Sequence, residues 1–227
     1  MKQPKAQDIN KKVFLFFSLT FIAIGLALFL PAGSLNYWQA WTFMGVLFIP
    51  AIFIIFYFLK NDREFLERRL KFREKETQEK SIIKIALLLF FIGFLIPGLD
   101  YRYGWSNVPF WLVISSDIVV FLAYITVFFV FKENSYASRI IKVDKKQEVI
   151  TTGPYAIVRH PMYAAVIPMF LCIPLALGSY FALIFFVPTV PVILFRILDE
   201  ERVLLRDLKG YKEYTKKVKY RLIPLVW

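Results

Sequence analysis

Histidine and cysteine are almost missing from this chain, which holds one of each, His160 and Cys172. A lone cysteine excludes an internal disulfide and leaves the redox compartment open. Cys172 lies in an apolar run, where a small buried hydrophobe is a plainer reading than a nucleophile. No metal site is expected. Charge is missing from several long stretches, which argues against a soluble domain. Internal repeats and low-complexity tracts are missing as well, which disfavours a transporter built from paired inverted halves. The first apolar run has no small-residue cleavage site before polar sequence, so a retained span is expected rather than a cleaved signal.

What the chain does have is apolar surface. Its 227 residues are 58% hydrophobic and 19% aromatic, more than one soluble core can hide. The expected fold is all-α, a polytopic integral membrane bundle of about six spans. These lie near 13–31, 38–59, 82–98, 109–131, 163–177 and 180–195. A net charge of +12 raises the question of nucleic acid, but its placement points to a membrane. Of 29 Lys and Arg, only Arg102 falls in the loops 32–37, 99–108 and 178–179. Lys84 sits just inside a span, and the other 27 lie in 1–12, 60–81, 132–162 and 196–227. By the positive-inside rule both termini are cytoplasmic. The basic side suits anionic headgroups, and no nucleic-acid partner is expected. A plain chain without retention signals suggests a prokaryotic inner membrane.

On the sparsely charged side, Tyr37, Trp38, Trp41, Tyr101, Tyr103, Trp105 and Trp111 form an expected interfacial aromatic belt. Residues 60–81 mix charge with Phe65, Leu66, Leu70 and Phe72, the pattern of a helix lying along the cytoplasmic membrane surface. Asp117, beside Ser115 and Ser116, falls inside a span and should face the bundle or sit near the interface. Two regions follow: a membrane-spanning part over 1–132 and a chemistry-bearing part over 133–227.

The last two apolar segments are proline-rich, with Pro168 and Pro174 in one and Pro188 and Pro191 in the other. Proline frees backbone groups that lipid cannot satisfy, so these helices should pack inside protein or line a cavity. With Gly178-Ser179 as the turn, 162–198 is expected to be a kinked helical hairpin. Its cytoplasmic ends would then bring His160 and Tyr163 beside Arg196 and Glu200.

Two clusters there look like a reaction site. The first is Gly153-Pro154-Tyr155-Ala156-Ile157-Val158-Arg159-His160-Pro161-Met162-Tyr163. Gly-Pro signals a turn, and Pro161 suits the first turn of a helix whose N–H groups welcome an anion. Arg159 is a planar cation for a carboxylate or phosphate. His160 exchanges hydrogen bonds, and Tyr155 and Tyr163 offer flat faces. A basic turn at the membrane interface would look the same. The second cluster is Arg196-Ile197-Leu198-Asp199-Glu200-Glu201. Arg196 and Glu200 share a helix face. A surface ion pair is the plain alternative, yet Arg196 sits at the membrane boundary, where charge is costly unless used. Leu204, Leu208, Tyr211 and Tyr214 continue an amphipathic helix, and Lys216, Lys217, Lys219 and Arg221 follow as a basic membrane-surface patch.

The composite Gly-Pro-Tyr-x-x-x-Arg-His-Pro-x-Tyr, Arg-x-x-x-Glu-Glu-x-x-Leu, Gly-Tyr-x-x-Tyr and a basic stretch ending in Ile-Pro resembles the isoprenylcysteine carboxyl methyltransferase family. It is also similar to the related membrane phospholipid methyltransferases. The resemblance covers roughly 133–227. It implies an integral-membrane enzyme using S-adenosylmethionine, with a cytosolic cofactor pocket and a lipid-like or prenylated acceptor arriving from the bilayer. Carried over, Gln147, Glu148, Val149, Ile150, Gly153, Tyr155, Arg159, His160, Pro161, Met162, Tyr163 and Glu200 are the expected cofactor contacts. Arg196 matches a substrate-orienting arginine, with Glu200 and Glu201 beside it as catalytic candidates. Two departures stand out. The spacing at Gly210-Tyr211 is shorter than usual, which leaves the parts of Tyr211 and Tyr214 open. Met162 also replaces a small residue.

Methyl transfer from a sulfonium is an in-line displacement that asks mainly for positioning. A carboxylate acceptor needs a cation, which Arg196 supplies, and no base. An amine acceptor must first lose a proton, for which Glu200 or Glu201 is the expected base. Other readings are a phospholipid amine N-methyltransferase, an NADPH-dependent sterol-type reductase, and a non-enzymatic scaffold or transporter. The acceptor and the oligomeric state are not fixed by these residues.

Overall fold

The computed structural model describes residues 6–69, 77–136 and 147–227, with the backbone alone for 6–8 and 77–87. The described residues form helices and no strand. Four long helices come first: α1 Ala6–Ala32, α2 Trp38–Asn61, α4 Thr77–Tyr103 and α5 Phe110–Glu133, with the short α3 Arg63–Arg69 after α2. Then come a 3-10 turn at Gly153–Ala156, α6 Pro161–Ala176, α7 Leu183–Phe186, α8 Thr189–Asp207 and α9 Tyr211–Lys217. Ile9–Ala32, Trp38–Asn61 and Phe110–Glu133 are long and apolar enough to cross a membrane, and α6 is a shorter apolar helix. The chain is therefore an all-helical integral membrane protein.

Helix α5 is the spine: α6 packs along most of it, α2 packs beside it, and α1 pairs with α4. Phe43, Leu28, Val120, Ile173 and Phe186 fill the space between them, each almost fully buried. Six of the seven expected belt aromatics are exposed, but Tyr37 is fully buried. Its hydroxyl donates to the Leu177 carbonyl at 2.5 Å, so it braces the end of α6 instead of meeting headgroups. Beside it, buried Asp100 accepts from the Ser106 backbone N–H at 2.7 Å, the Ser106 hydroxyl at 2.6 Å and the Ser179 hydroxyl at 2.5 Å. These bonds pin the Gly178-Ser179 turn, where Gly178 adopts φ +73°. The turn is fixed at the end of the bundle away from the basic termini.

Two expectations change. The 60–81 segment does not lay its apolar face on the membrane where it is described. Phe65 and Leu66 of α3 are buried, and Phe65 packs on Phe58 and Phe131 with ring centroids 4.4 and 5.0 Å apart. The Asp62 carboxylate caps this helix by accepting from the Phe65 N–H at 3.0 Å;. Leu70 and Phe72 lie outside the described residues. The 180–195 segment is broken, because Pro188 has no N–H to offer. α7 ends at Phe186, and α8 restarts at Thr189 and runs on past the apolar stretch to Asp207.

α1 and α4 approach closely at Gly98. A Cβ there would collide with the Leu28 carbonyl oxygen and sit 3.1 Å from the Ala32 backbone nitrogen. Backbone cannot retreat as a side-chain tip can. Gly98→Ala should therefore destabilise by about 1–3 kcal/mol. Gly45→Ala, whose nearest neighbour is 4.0 Å away, should be close to neutral. Thermal unfolding of the two variants in detergent, side by side, checks the contrast.

Candidate functional site

The 153–163 segment is held from both sides. Gly153 adopts φ +56°, a left-handed turn open to glycine, and a side chain there would meet the Glu133 carboxyl at 3.1 Å. Thr152 donates its hydroxyl to that same carboxylate. Further on, the backbone N–H groups of Arg159 and His160 donate to the carbonyls of Tyr220 and Arg221, both at 2.9 Å. The C-terminal tail thus lies along the segment as a splint. Pro161 takes the first position of α6, where no N–H is needed;.

Beneath this turn lies a buried charge cluster. The Glu201 carboxylate accepts from Arg159 Nε at 2.7 Å and Arg221 Nε at 2.8 Å, and His160 Nε2 lies 3.3 Å away. Arg159 also donates from Nη1 to the Val218 and Lys219 carbonyls at 3.1 and 2.8 Å. Arg159, His160 and Glu201 are all buried. Burial raises the Glu201 pKa, but the hydrogen bonds from His160, Arg221 and Arg159 outweigh it and hold the carboxyl at about 2;. A group held so low is a poor proton acceptor, and Glu201 does not line the cavity described next. The structure places this candidate base beneath the cavity, where it joins the turn, α8 and the tail.

Above the cluster is a cavity of roughly 900 Å³, counting the open space at its mouth. Gln147, Glu148, Val149 and Ile150 form one wall; Tyr155, Arg159, His160, Pro161, Met162 and Tyr163 form a second; Arg196 and Glu200 form a third. Two expected site residues are absent from the lining, the cofactor contact Gly153 and the catalytic candidate Glu201. Gly153 acts through the backbone turn alone. Residues not expected there are Asn134 and Tyr136, at the end of α5, and Val203. Leu204 and Leu208 also line it. Their signal was legible, since 196, 200 and 204 repeat every four residues on one face of α8 and 208, just past its end, keeps the interval;. Tyr211 and Tyr214, left open by their spacing, line the cavity too.

The Tyr163 hydroxyl donates to Glu200 Oε2 at 2.9 Å and accepts from Arg196 Nε at 3.2 Å, so it bridges the two charges of α8. The Tyr155 hydroxyl accepts from Asn134 Nδ2 at 2.9 Å, and its carbonyl accepts from the Tyr214 hydroxyl at 2.7 Å. Burial pushes Tyr155 and Tyr211 well up, and Tyr214 to about 12. All three are neutral donors at physiological pH. Asp117 is buried within α5, with neither carboxylate oxygen hydrogen-bonded among the described residues. It is not part of this wall. A second groove borders the cavity at Pro161; it is apolar, runs between α5 and α6, and takes in Leu122, Ala165 and Pro168.

The charge cluster makes a pH prediction. The folded pKa of Glu201, about 2, lies below its ordinary value of 4.5. Its contribution is therefore present above about pH 4.5 and lost as pH falls toward 2. Glu201→Gln should remove this acid-labile component and, by stranding buried cations, cost about 3–5 kcal/mol at neutral pH. Tryptophan fluorescence followed from pH 7 to pH 2 in both proteins checks it.

No curated protein matches the chain. Residues 112–206, however, match the model of the isoprenylcysteine carboxyl methyltransferase family. The match runs from α5 almost to the end of α8. It takes in the Gly153–Tyr163 turn together with Arg196, Glu200 and Glu201. Motif, cavity and match thus meet on the same residues, and the segment from α5 to α8 is similar to this family.

Proposed function

We propose that this chain is an S-adenosylmethionine-dependent methyltransferase whose acceptor is the carboxylate of a lipid-like, prenylcysteine-type molecule. The observation that carries the reading is the Arg196–Tyr163–Glu200 bridge within the cavity. It presents a cation and an anion four residues apart at the point where α8 leaves its apolar stretch. The family match over residues 112–206 supports methyl transfer.

The donor set suits the cofactor. Glu200 can take its ammonium. The part of the lining built from Val149, Leu204, Leu208, Tyr211 and Tyr214 offers an apolar, aromatic seat for a heterocycle. When bound, the cofactor supplies an electrophilic methyl on a sulfonium. The chain itself holds, aligns and dries. Arg196 holds an acceptor carboxylate, and Tyr163 fixes the heights of Arg196 and Glu200 relative to each other. The membrane edge limits the water around the nucleophile. The apolar groove past Pro161 suits the acceptor's hydrocarbon. A carboxylate nucleophile needs no proton acceptor, in keeping with a Glu201 that is saturated and off the wall. A dinucleotide would want more cations than this wall has, since Arg159 is already committed to Glu201, Val218 and Lys219; this disfavours the reductase.

The topology belongs to the same proposal. Both termini and the cavity face the cytosol, α6 and the α7–α8 pair serve as the last two of six crossings, and 133–227 carries the chemistry on the anchor of 1–132.

Membranes holding the protein, given methyl-labelled S-adenosylmethionine and a prenylcysteine analogue, should yield a lipid-soluble product that releases labelled methanol in alkali. Label that survives alkali would identify an amine acceptor instead. Glu200→Gln should weaken cofactor binding about 10- to 100-fold, the loss expected of one charged hydrogen bond. Arg196→Ala should raise the acceptor KM more than the cofactor Kd.

A further inference from the structure

One polar group on the cavity wall has no internal explanation. Tyr211 is 4% exposed, and its hydroxyl has no hydrogen-bond partner among the described residues. Buried hydroxyls are normally paired, because an unmade bond there is costly. The neighbouring Tyr214 shows the ordinary arrangement: its hydroxyl donates to the Tyr155 carbonyl at 2.7 Å. Tyr211 lies on the same helix, with its ring centroid 5.6 Å from that of Tyr214, and borders the same cavity.

The cavity lining is of two chemical kinds. Arg196, Tyr163 and Glu200 supply charge and its hydrogen bonds. Leu208, Tyr211 and Tyr214, with Val149 and Leu204 against them, supply an apolar, aromatic cluster. An amino-acid head and a sulfonium suit the first, and a flat heterocycle with its sugar suits the second. We infer that the Tyr211 hydroxyl is the fixed donor that recognises the nucleoside half of the methyl donor, by bonding an acceptor atom of its base or ribose. This rests on the methyltransferase reading and assigns a role to a residue beyond the span of the family match. Because α9 follows Gly210 in a left-handed conformation, φ +87°, the short Gly-to-Tyr spacing still turns Tyr211 into the wall. The donor must be neutral to work, and burial keeps it so.

Two ligands separate the possibilities: S-adenosylhomocysteine, and 5′-methylthioadenosine, which keeps the nucleoside but lacks the amino acid. Calorimetric titration of the full chain in detergent, wild type and Tyr211→Phe, is the experiment. Tyr211→Phe should weaken both ligands about 3- to 10-fold, while the melting temperature without ligand does not fall, since no internal bond is lost. Tyr214→Phe, which does lose one, should melt lower. Equal binding by wild type and Tyr211→Phe would overturn the inference, as would weakening of S-adenosylhomocysteine alone, or a Tyr211→Phe melting temperature as low as that of Tyr214→Phe. A wild type that binds neither ligand would overturn the methyltransferase reading itself, and the inference with it.

Discussion

One buried carboxylate ties together the parts of this protein that are far apart in sequence. Glu201 sits on α8, Arg159 and His160 on the turn before α6, and Arg221 on the C-terminal tail, and all three side chains meet its two oxygens. An isolated carboxylate at that depth would be costly. Here the charge is surrounded by donors, so the cost falls on any state in which the three segments separate. The two backbone bonds from Arg159 and His160 to the tail then complete a closed structure under the cavity. The floor of the site is thus set before any ligand arrives, which is what a reaction governed by alignment requires.

At the opposite end of the bundle, Asp100 plays a parallel part with neutral partners. It takes hydroxyl and amide donors from Ser106 and Ser179, and Tyr37 fastens the end of α6. The hairpin of α6 and α7–α8 is therefore held at both ends by polar contacts, while its middle is interrupted by proline. Prolines cost little here because α5 covers one side of α6 and the broken backbone at 187–188 lies at a helix junction. The kinks let α8 swing clear of the apolar core so that its charged half reaches the cavity.

Much of this was legible in the residues. The all-helical membrane fold followed from long uncharged runs. Arg159, His160, Tyr163, Arg196 and Glu200 could be brought together by treating Gly178-Ser179 as a turn, and in the structure they line one cavity. Other parts were not legible, for physical reasons. Tyr37 looked like a belt residue because burial of a tyrosine depends on a partner, the Leu177 carbonyl, which is 140 positions away. Phe65 and Leu66 looked like a membrane-facing stripe because an amphipathic pattern does not say whether lipid or protein covers it. Asn134 and Tyr136 follow a helix end with no periodicity to point them inward.

The pair Glu200-Glu201 shows most plainly where local pattern stops. Adjacent residues on a helix point about 100° apart, so two identical side chains must meet different surroundings. Glu201 turns inward and is saturated by donors that the fold itself supplies. Glu200 turns to the cavity and, among the described residues, accepts one hydrogen bond, from Tyr163. The sequence offers both acids on equal terms. The number of internal donors each one meets distinguishes them, and that count depends on tail residues around 218–221 that no helical spacing connects to α8. Saturated groups hold this molecule together, and the Tyr211 hydroxyl, without a partner among the described residues, faces the space where a ligand would complete it.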